Sequence, residues 1–294
     1  MADEKAVQVP AGYGSDAIAP PDILDKVEKL GVKKAHTPFG PEFVLSMVAG
    51  GAISLGAMFF YIVLGDPTLG YAAQRVLGGV TFALGLSLVM IAGAELFTGN
   101  CLLVVAWASR KISVGEMLGN WVTVWVGNLV GSLVMVFLLW ECHFPDLNGG
   151  HVGSAVISLA LGKLTPDFAT IFFKGIMCNL LVCLGVWMAY AGRSVADKIA
   201  GMILPIAAFV AVGFEHCVAN MLFLPLAWLM VQMGHVPAGV DVSAITFVNI
   251  IHNLIPATLG NIVGGGGFVG LVYWLAYHKR EAAQPAGAPL HSAK

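Results

Sequence analysis

Long apolar runs separated by short polar stretches make up most of this chain. They fall at about 43–64, 71–108, 115–140, 168–191, 199–233 and 244–278. Each is long enough for a helix crossing a hydrocarbon core of roughly 30 Å. The second and fifth are too long for one straight span, and each carries an interruption: GAELFTGN (93–100) and GFEHCVAN (213–220). Both interruptions set Glu, Gly and Asn inside an apolar run. Backbone unwinds at membrane depth only where protein covers it or a cavity accepts it. The pattern predicts an all-α membrane protein with six transmembrane helices, the second and fifth broken.

Composition agrees with lipid as the solvent. The 294 residues are 58% hydrophobic and 11% charged, against about 45–50% and about 25% in soluble domains. A net charge of −2 gives no electrostatic case for nucleic acid. The cysteines Cys101, Cys142, Cys178, Cys183 and Cys217 form no CxxC and mostly sit in apolar runs. They read as small buried side chains, neither a disulfide framework nor a metal site. Scattered histidines with no HxxxH or HExxH spacing argue against a metalloenzyme built on His216, His252 or His143. The run Gly264–Gly267 has no following Lys-Ser/Thr and reads as close helix packing, so neither ATP nor another cofactor is expected.

Residues 1–42 do not read as a signal peptide, and form an N-terminal segment ahead of a transmembrane domain at 43–280. Within that segment Ile23, Leu24, Val27 and Leu30 share a helical face opposite charges, the pattern of an interfacial anchor. The tail at 281–294 reads as disordered. Lys and Arg gather before residue 43, at Arg110–Lys111, at Arg193 and Lys198, and after residue 278. The other loops hold Arg75 and Lys163, with Lys174 just inside the fourth span. The positive-inside rule therefore places both termini in the cytoplasm.

The two halves repeat. Gly93, Glu95 and Asn100 recur with the same spacing as Gly213, Glu215 and Asn220. Further on, Asn120, Gly127, Asn128 and Gly131 recur as Asn253, Gly260, Asn261 and Gly264. Three spans followed by three spans turn the second half upside down, a 3+3 inverted repeat of the kind that builds transporters and channels.

GAELFTGN, WMAYAGRS (187–194), GFEHCVANM (213–221) and NLIPATLGNIVGGG (253–266) resemble the formate/nitrite transporter family of bacterial anion channels. The resemblance covers roughly residues 23–278. It implies an aquaporin-like helix arrangement, a homopentamer with a pore in each protomer, and a bacterial inner-membrane location. The family's central histidine falls on His216, its broken-helix threonine on Thr98 and a polar pore residue on Asn179. Phe82 and Leu86 match the constriction on one side of the histidine, and Phe209 the opposite one. Lys163 matches a vestibule lysine, and Asn261 lies in the family's GN pair. Glu95, where formate channels often carry Asp, and Gly99–Asn100, which resemble nitrite and hydrosulfide members, leave the choice among formate, nitrite and hydrosulfide open.

The chemistry follows from energies. Moving a bare carboxylate into a medium of low dielectric costs tens of kcal/mol. Protonating one whose pKa lies about three units below ambient pH costs only ~4 kcal/mol. A small weak-acid anion therefore crosses an apolar constriction more easily as its neutral acid. His216 either donates that proton or hydrogen-bonds the anion while a proton arrives through water. Thr98 and the exposed N–H groups at the break make an anion cradle. Phe82, Leu86 and Phe209 read as hydrophobic gates. Read by itself, Lys163 is a solvated loop lysine; in a vestibule it concentrates anions. Glu95, Glu215, Asn100 and Asn220 support the broken backbone, and Cys217 fills space beside His216. An aquaporin-like pore for neutral solutes would carry paired Asn-Pro-Ala signatures, which the sequence lacks.

Overall fold

The computed structural model describes residues 17–281, and among them there is no strand. The chain runs α1 (Pro20–Ala35), α2 (Phe39–Leu64), α3 (Tyr71–Ala92), α4 (Phe97–Ala108) and α5 (Val114–Glu141). The second half continues with α6 (His151–Leu164), α7 (Phe168–Ala191), α8 (Val195–Val212), α9 (Cys217–Gln232) and α10 (Phe247–His278). Six of these, α2, α3, α5, α7, α8 and α10, are long and apolar enough to cross a membrane. Their outer faces carry exposed Phe137, Phe173, Leu204 and Val212, side chains that water would oppose and lipid accepts.

The two interruptions are real breaks. Both α3 and α8 end on a glycine in the left-handed region, Gly93 (φ 78°) and Gly213 (φ 81°). Glycine reaches that conformation without a Cβ clash. Extended residues follow, and the short helices α4 and α9 then resume. Within each half the long helices pack along one another, α2 on α3 and α5, and α7 on α8 and α10, while α3 and α8 join the halves. The short helices cross over: α4 packs on α7 and α10, and α9 on α2 and α5. A Cβ on Gly131 would run into the Met47 carbonyl, and one on Gly264 into the Ile176 carbonyl. Both repeated glycines thus let two backbones touch. The Gly264–Gly267 run lies in a π-helical stretch of α10, Val263–Leu271.

Two segments differ from the sequence reading. The apolar face of α1 does not stand free as an interfacial anchor: Ile23, Leu24 and Val27 are buried in the protein core, and Gly31 lies against Leu103 and Ala106 of α4. Protein offers that face a partner, so it has no need of lipid. The polar stretch after α5 is a tight turn, Phe144–Gly150, followed by α6, so Lys163 ends a packed helix. The tail expected to be disordered lies outside the described residues.

Candidate functional site

At the first break, Glu95 Oε2 accepts from Lys34 Nζ (2.9 Å) and Asn100 Nδ2 (2.8 Å). Asn100 Nδ2 also donates to Asn120 Oδ1 (3.0 Å), and Asn100 Oδ1 accepts from Lys34 Nζ (2.7 Å). Asn128 closes the gap in the backbone. Its Oδ1 accepts from Phe97 N (2.9 Å), and its Nδ2 donates to the Ser46 and Glu95 carbonyls (2.7 and 2.9 Å). Backbone groups orphaned by the break thus find side-chain partners in place of water.

The second break repeats most of this wiring. Glu215 Oε2 accepts from Lys163 Nζ (3.1 Å) and Asn220 Nδ2 (2.6 Å), and Asn220 Nδ2 donates to Asn253 Oδ1 (2.8 Å). Asn261 Oδ1 accepts from Cys217 N (2.9 Å), while its Nδ2 donates to the Gly175 and Glu215 carbonyls (both 2.8 Å). Asn253 Nδ2 holds the Lys163 carbonyl (2.9 Å). Both glutamates are buried and paired with a lysine, the arrangement in which interior carboxylates keep their charge compensated.

The breaks meet at one contact. His216 Nε2 lies 3.0 Å from Thr98 Oγ1. On the other side of the ring, Nδ1 accepts from Ala219 N (3.0 Å), making His216 the cap of α9. A backbone N–H can only donate, so in the neutral ring the proton sits on Nε2 and points at Thr98. Asn179 ties this centre together, donating to the Thr98 carbonyl (3.1 Å) and the Asn261 carbonyl (2.7 Å). Phe209 stacks on His216 (centroids 5.7 Å apart, planes at 19°) and meets Phe82 edge-on at 5.8 Å.

Beside His216 lies a cavity of about 30 Å³ walled by Phe60, Phe82, Phe209, Asn220 and Phe223. It shares Arg75, Leu159, Lys163 and Gly213 with a wider, polar cavity of about 390 Å³ that also holds Gln74, Ser158, Lys174 and Glu215. Arg75 donates to the Val210 and Ala211 carbonyls (3.1 and 2.8 Å), neutralising the end of α8 at the break. The wide cavity thus presents three cations against Glu215, and it narrows through aromatic side chains to the histidine.

The sequence model for formate/nitrite transporters matches residues 21–275. The chain belongs to the formate/nitrite transporter family. It is 40% identical over 274 residues to the formate channel FocA of Escherichia coli K12, covering 89% of this chain and 95% of that one. It is 36% identical over 284 residues to a probable formate transporter of Methanothermobacter thermautotrophicus, covering 90% and 99%. Among solved structures, a pentameric formate channel with formate bound superposes with a TM-score of 0.76 at 43% identity, covering 82% of this chain and 98% of that one. Six apolar spans and this membership make the chain a multi-pass membrane protein, and the relatives are channels and transporters.

Within this transporter fold, His216, Thr98, Asn179 and Asn261 come together at the meeting of the breaks, with Phe82 and Phe209 beside them. Leu86 is buried one turn along α3 from Phe82 and does not wall the small cavity. Phe82 and Phe209 touch, so they form one aromatic group on the cavity side; the expectation of Phe209 on the opposite side from Phe82 does not hold. Lys163 is not a solvated loop lysine: it is 7% exposed, bound to Glu215 and 5.8 Å from the centroid of Phe223. Glu95 and Glu215 accept from lysine and asparagine side chains; the backbone at the breaks is held by Asn128 and Asn261. Lys34, Arg75, Phe60 and Phe223 were missed. Lys34 had a signal, because Lys34 with Thr37-Pro38 precedes α2 as Lys163 with Thr165-Pro166 precedes α7.

Proposed function

We propose that this protein is a conduit for a small monovalent weak-acid anion, with formate as the substrate, carried through the protomer in its neutral, protonated form. The observation that carries the reading is the Thr98–His216 hydrogen bond where the two breaks meet, walled by Phe82 and Phe209 next to a cavity lined by Arg75, Lys163 and Lys174. The cations raise the local concentration of anion. The aromatic ring pair then sets a barrier that a charged carboxylate crosses far less readily than its acid.

The hydrogen bonds around His216 favour one of the two routes for the proton. A second ring proton on Nδ1 would confront the Ala219 N–H and cost α9 its cap. The ring therefore serves best by holding its single Nε2 proton on Thr98, whose hydroxyl hydrogen is then free to meet the anion. The net proton enters through water from the wide cavity. Anion and proton cross together, so flux follows the proton gradient.

The named relatives support formate and a homopentamer, and a site built wholly within one protomer supports a pore in each. The three-span offset between matching networks supports an aquaporin-like 3+3 inverted repeat. The distribution of Lys and Arg supports a bacterial inner-membrane protein in surrounding lipid with both termini cytoplasmic. Proteoliposome flux tests the reading: formate uptake should rise as pH falls, and His216→Asn, which removes the ring that holds Thr98, should lower it. Uptake indifferent to both pH and that substitution overturns it. Nitrite and hydrosulfide belong in the same assay as competitors, because passage of either in preference to formate reassigns the substrate.

A further inference from the structure

One departure between the mirrored networks leaves an oxygen open. Asn100 Oδ1 accepts from Lys34 Nζ at 2.7 Å. Its counterpart, Asn220 Oδ1, is buried with no hydrogen-bond partner, because Lys163 bonds Glu215 and lies against the Phe223 ring instead. The amide cannot be turned round to relieve this. Asn220 Nδ2 faces Glu215 Oε2 at 2.6 Å, and a carboxylate there only accepts. Asn220 also walls the small cavity beside His216, one helical turn away on the same face of α9. The cavity that the proposed function assigns to the permeant is therefore walled in part by a residue whose buried acceptor has no donor.

We propose that Asn220 Oδ1 is the acceptor for the O–H of the permeating acid, and so a specificity-determining residue for the protonated form. A carboxylate or nitrite ion brings only lone pairs, which the amide oxygen repels. The neutral acid brings one O–H donor for Asn220, and its carbonyl oxygen accepts from the Thr98–His216 pair. Selection then rests on the proton itself: the same molecule is rejected as an anion and accepted as an acid. The cavity of about 30 Å³ suits an occupant of that size, since this measure of volume needs about 10–15 Å³ for one water. Water is the other source of an O–H donor there, and the experiment separates the two.

This inference rests on the weak-acid reading above. Isotope-edited infrared spectra of the protein in liposomes, loaded with ¹²C- or ¹³C-formate at mildly acidic pH, report the state of the bound molecule. The expected result is a carbonyl band of protonated, hydrogen-bonded acid that is lost in Asn220→Ser and retained in Asn100→Ser. Formate flux should fall at least tenfold in Asn220→Ser and by a smaller factor in Asn100→Ser. The mirror variant removes an equivalent amide from an equivalent network, so it controls for structural damage. Should Asn220→Ser fail to assemble, Asn220→Gln keeps both amide groups one methylene further out and should shift or abolish the band. Three results overturn the inference: carboxylate bands alone in the wild type, with an ordered water at Asn220; an acid band indifferent to residue 220; or equal flux losses in the two serine variants. In each of these the wild type still carries formate with uptake rising as pH falls, whereas a wild type that carries no formate sinks the transport reading itself.

Discussion

At the first break Lys34 reaches both Glu95 and Asn100, and its side chain keeps 22% of its exposure. At the second break Lys163 reaches Glu215 alone and keeps 9%, with Glu215 at 1%. The first network also holds Glu42, which accepts from Asn120 Nδ2 (2.6 Å); Ile171 stands at the matching place in the second. One set of side chains thus serves two purposes. The first break is tied off, every amide group used and α1 latched over it through Lys34. The second is deeper, has one acceptor open, and borders both cavities. The repeat supplies the scaffold, and the departures from it show where the chemistry sits.

Breaking the ion pairs tests that contrast with the largest effect. Lys163→Met leaves the Glu215 carboxylate buried without its cation, and removing one partner of a buried pair costs about 3–5 kcal/mol. Lys34→Met should cost less, since water still reaches that site. Lys163→Met combined with Glu215→Gln should recover much of the loss, because the stranded charge is gone. Denaturant titration of the purified protein in detergent measures all three. A Lys34→Met penalty equal to or above that of Lys163→Met would remove the distinction between a shallow break and a deep one.

Where the halves are alike, they should respond alike. Gly131→Ala and Gly264→Ala each push a methyl into a backbone carbonyl, of Met47 and Ile176 respectively. Overpacking of this kind costs about 1–3 kcal/mol, and the two losses should match closely in the same titration. A large disparity would mean that the halves share a pattern of residues without sharing helix packing.

How much of this was legible follows from which forces act over short stretches of chain. The six spans and both breaks follow from runs of apolar residues, and the pairing of Asn128 with Asn261 and of Glu95 with Glu215 follows from spacing alone. The aromatic wall did not: Phe60, Phe82, Phe209 and Phe223 come from four helices, and an aromatic side chain in an apolar run looks the same whether it faces lipid, a neighbour or a cavity. The burial of Lys163 was hidden for a related reason. Its partner lies 52 positions away, and a lysine after a polar stretch carries no mark of the helix that buries it. Lys34 was within reach, since its Thr-Pro signature repeats, but it lies ahead of the first span, outside the apolar runs that carry the rest of the repeat.

The smallest expected effect lies at the helix starts, where pH enters. Asp167, just ahead of α7, caps that helix: its Oδ1 accepts from Thr170 N (2.7 Å). Hydrogen bonding from Thr170, led by its backbone N–H, holds the Asp167 carboxyl below the usual carboxylate range. A depressed folded value means that the unfolded chain binds more protons in the window between the two values, so stability rises with pH there. The contribution is complete above the unfolded value, about 4, and drains away as pH falls through the lower folded value. Asp167→Asn keeps an acceptor but cannot titrate. The melting-temperature gap between wild type and Asp167→Asn should therefore be constant from pH 7 to about pH 5 and shrink below about pH 4. A gap that stays flat to pH 3 would show that the charge on Asp167 adds nothing to its cap.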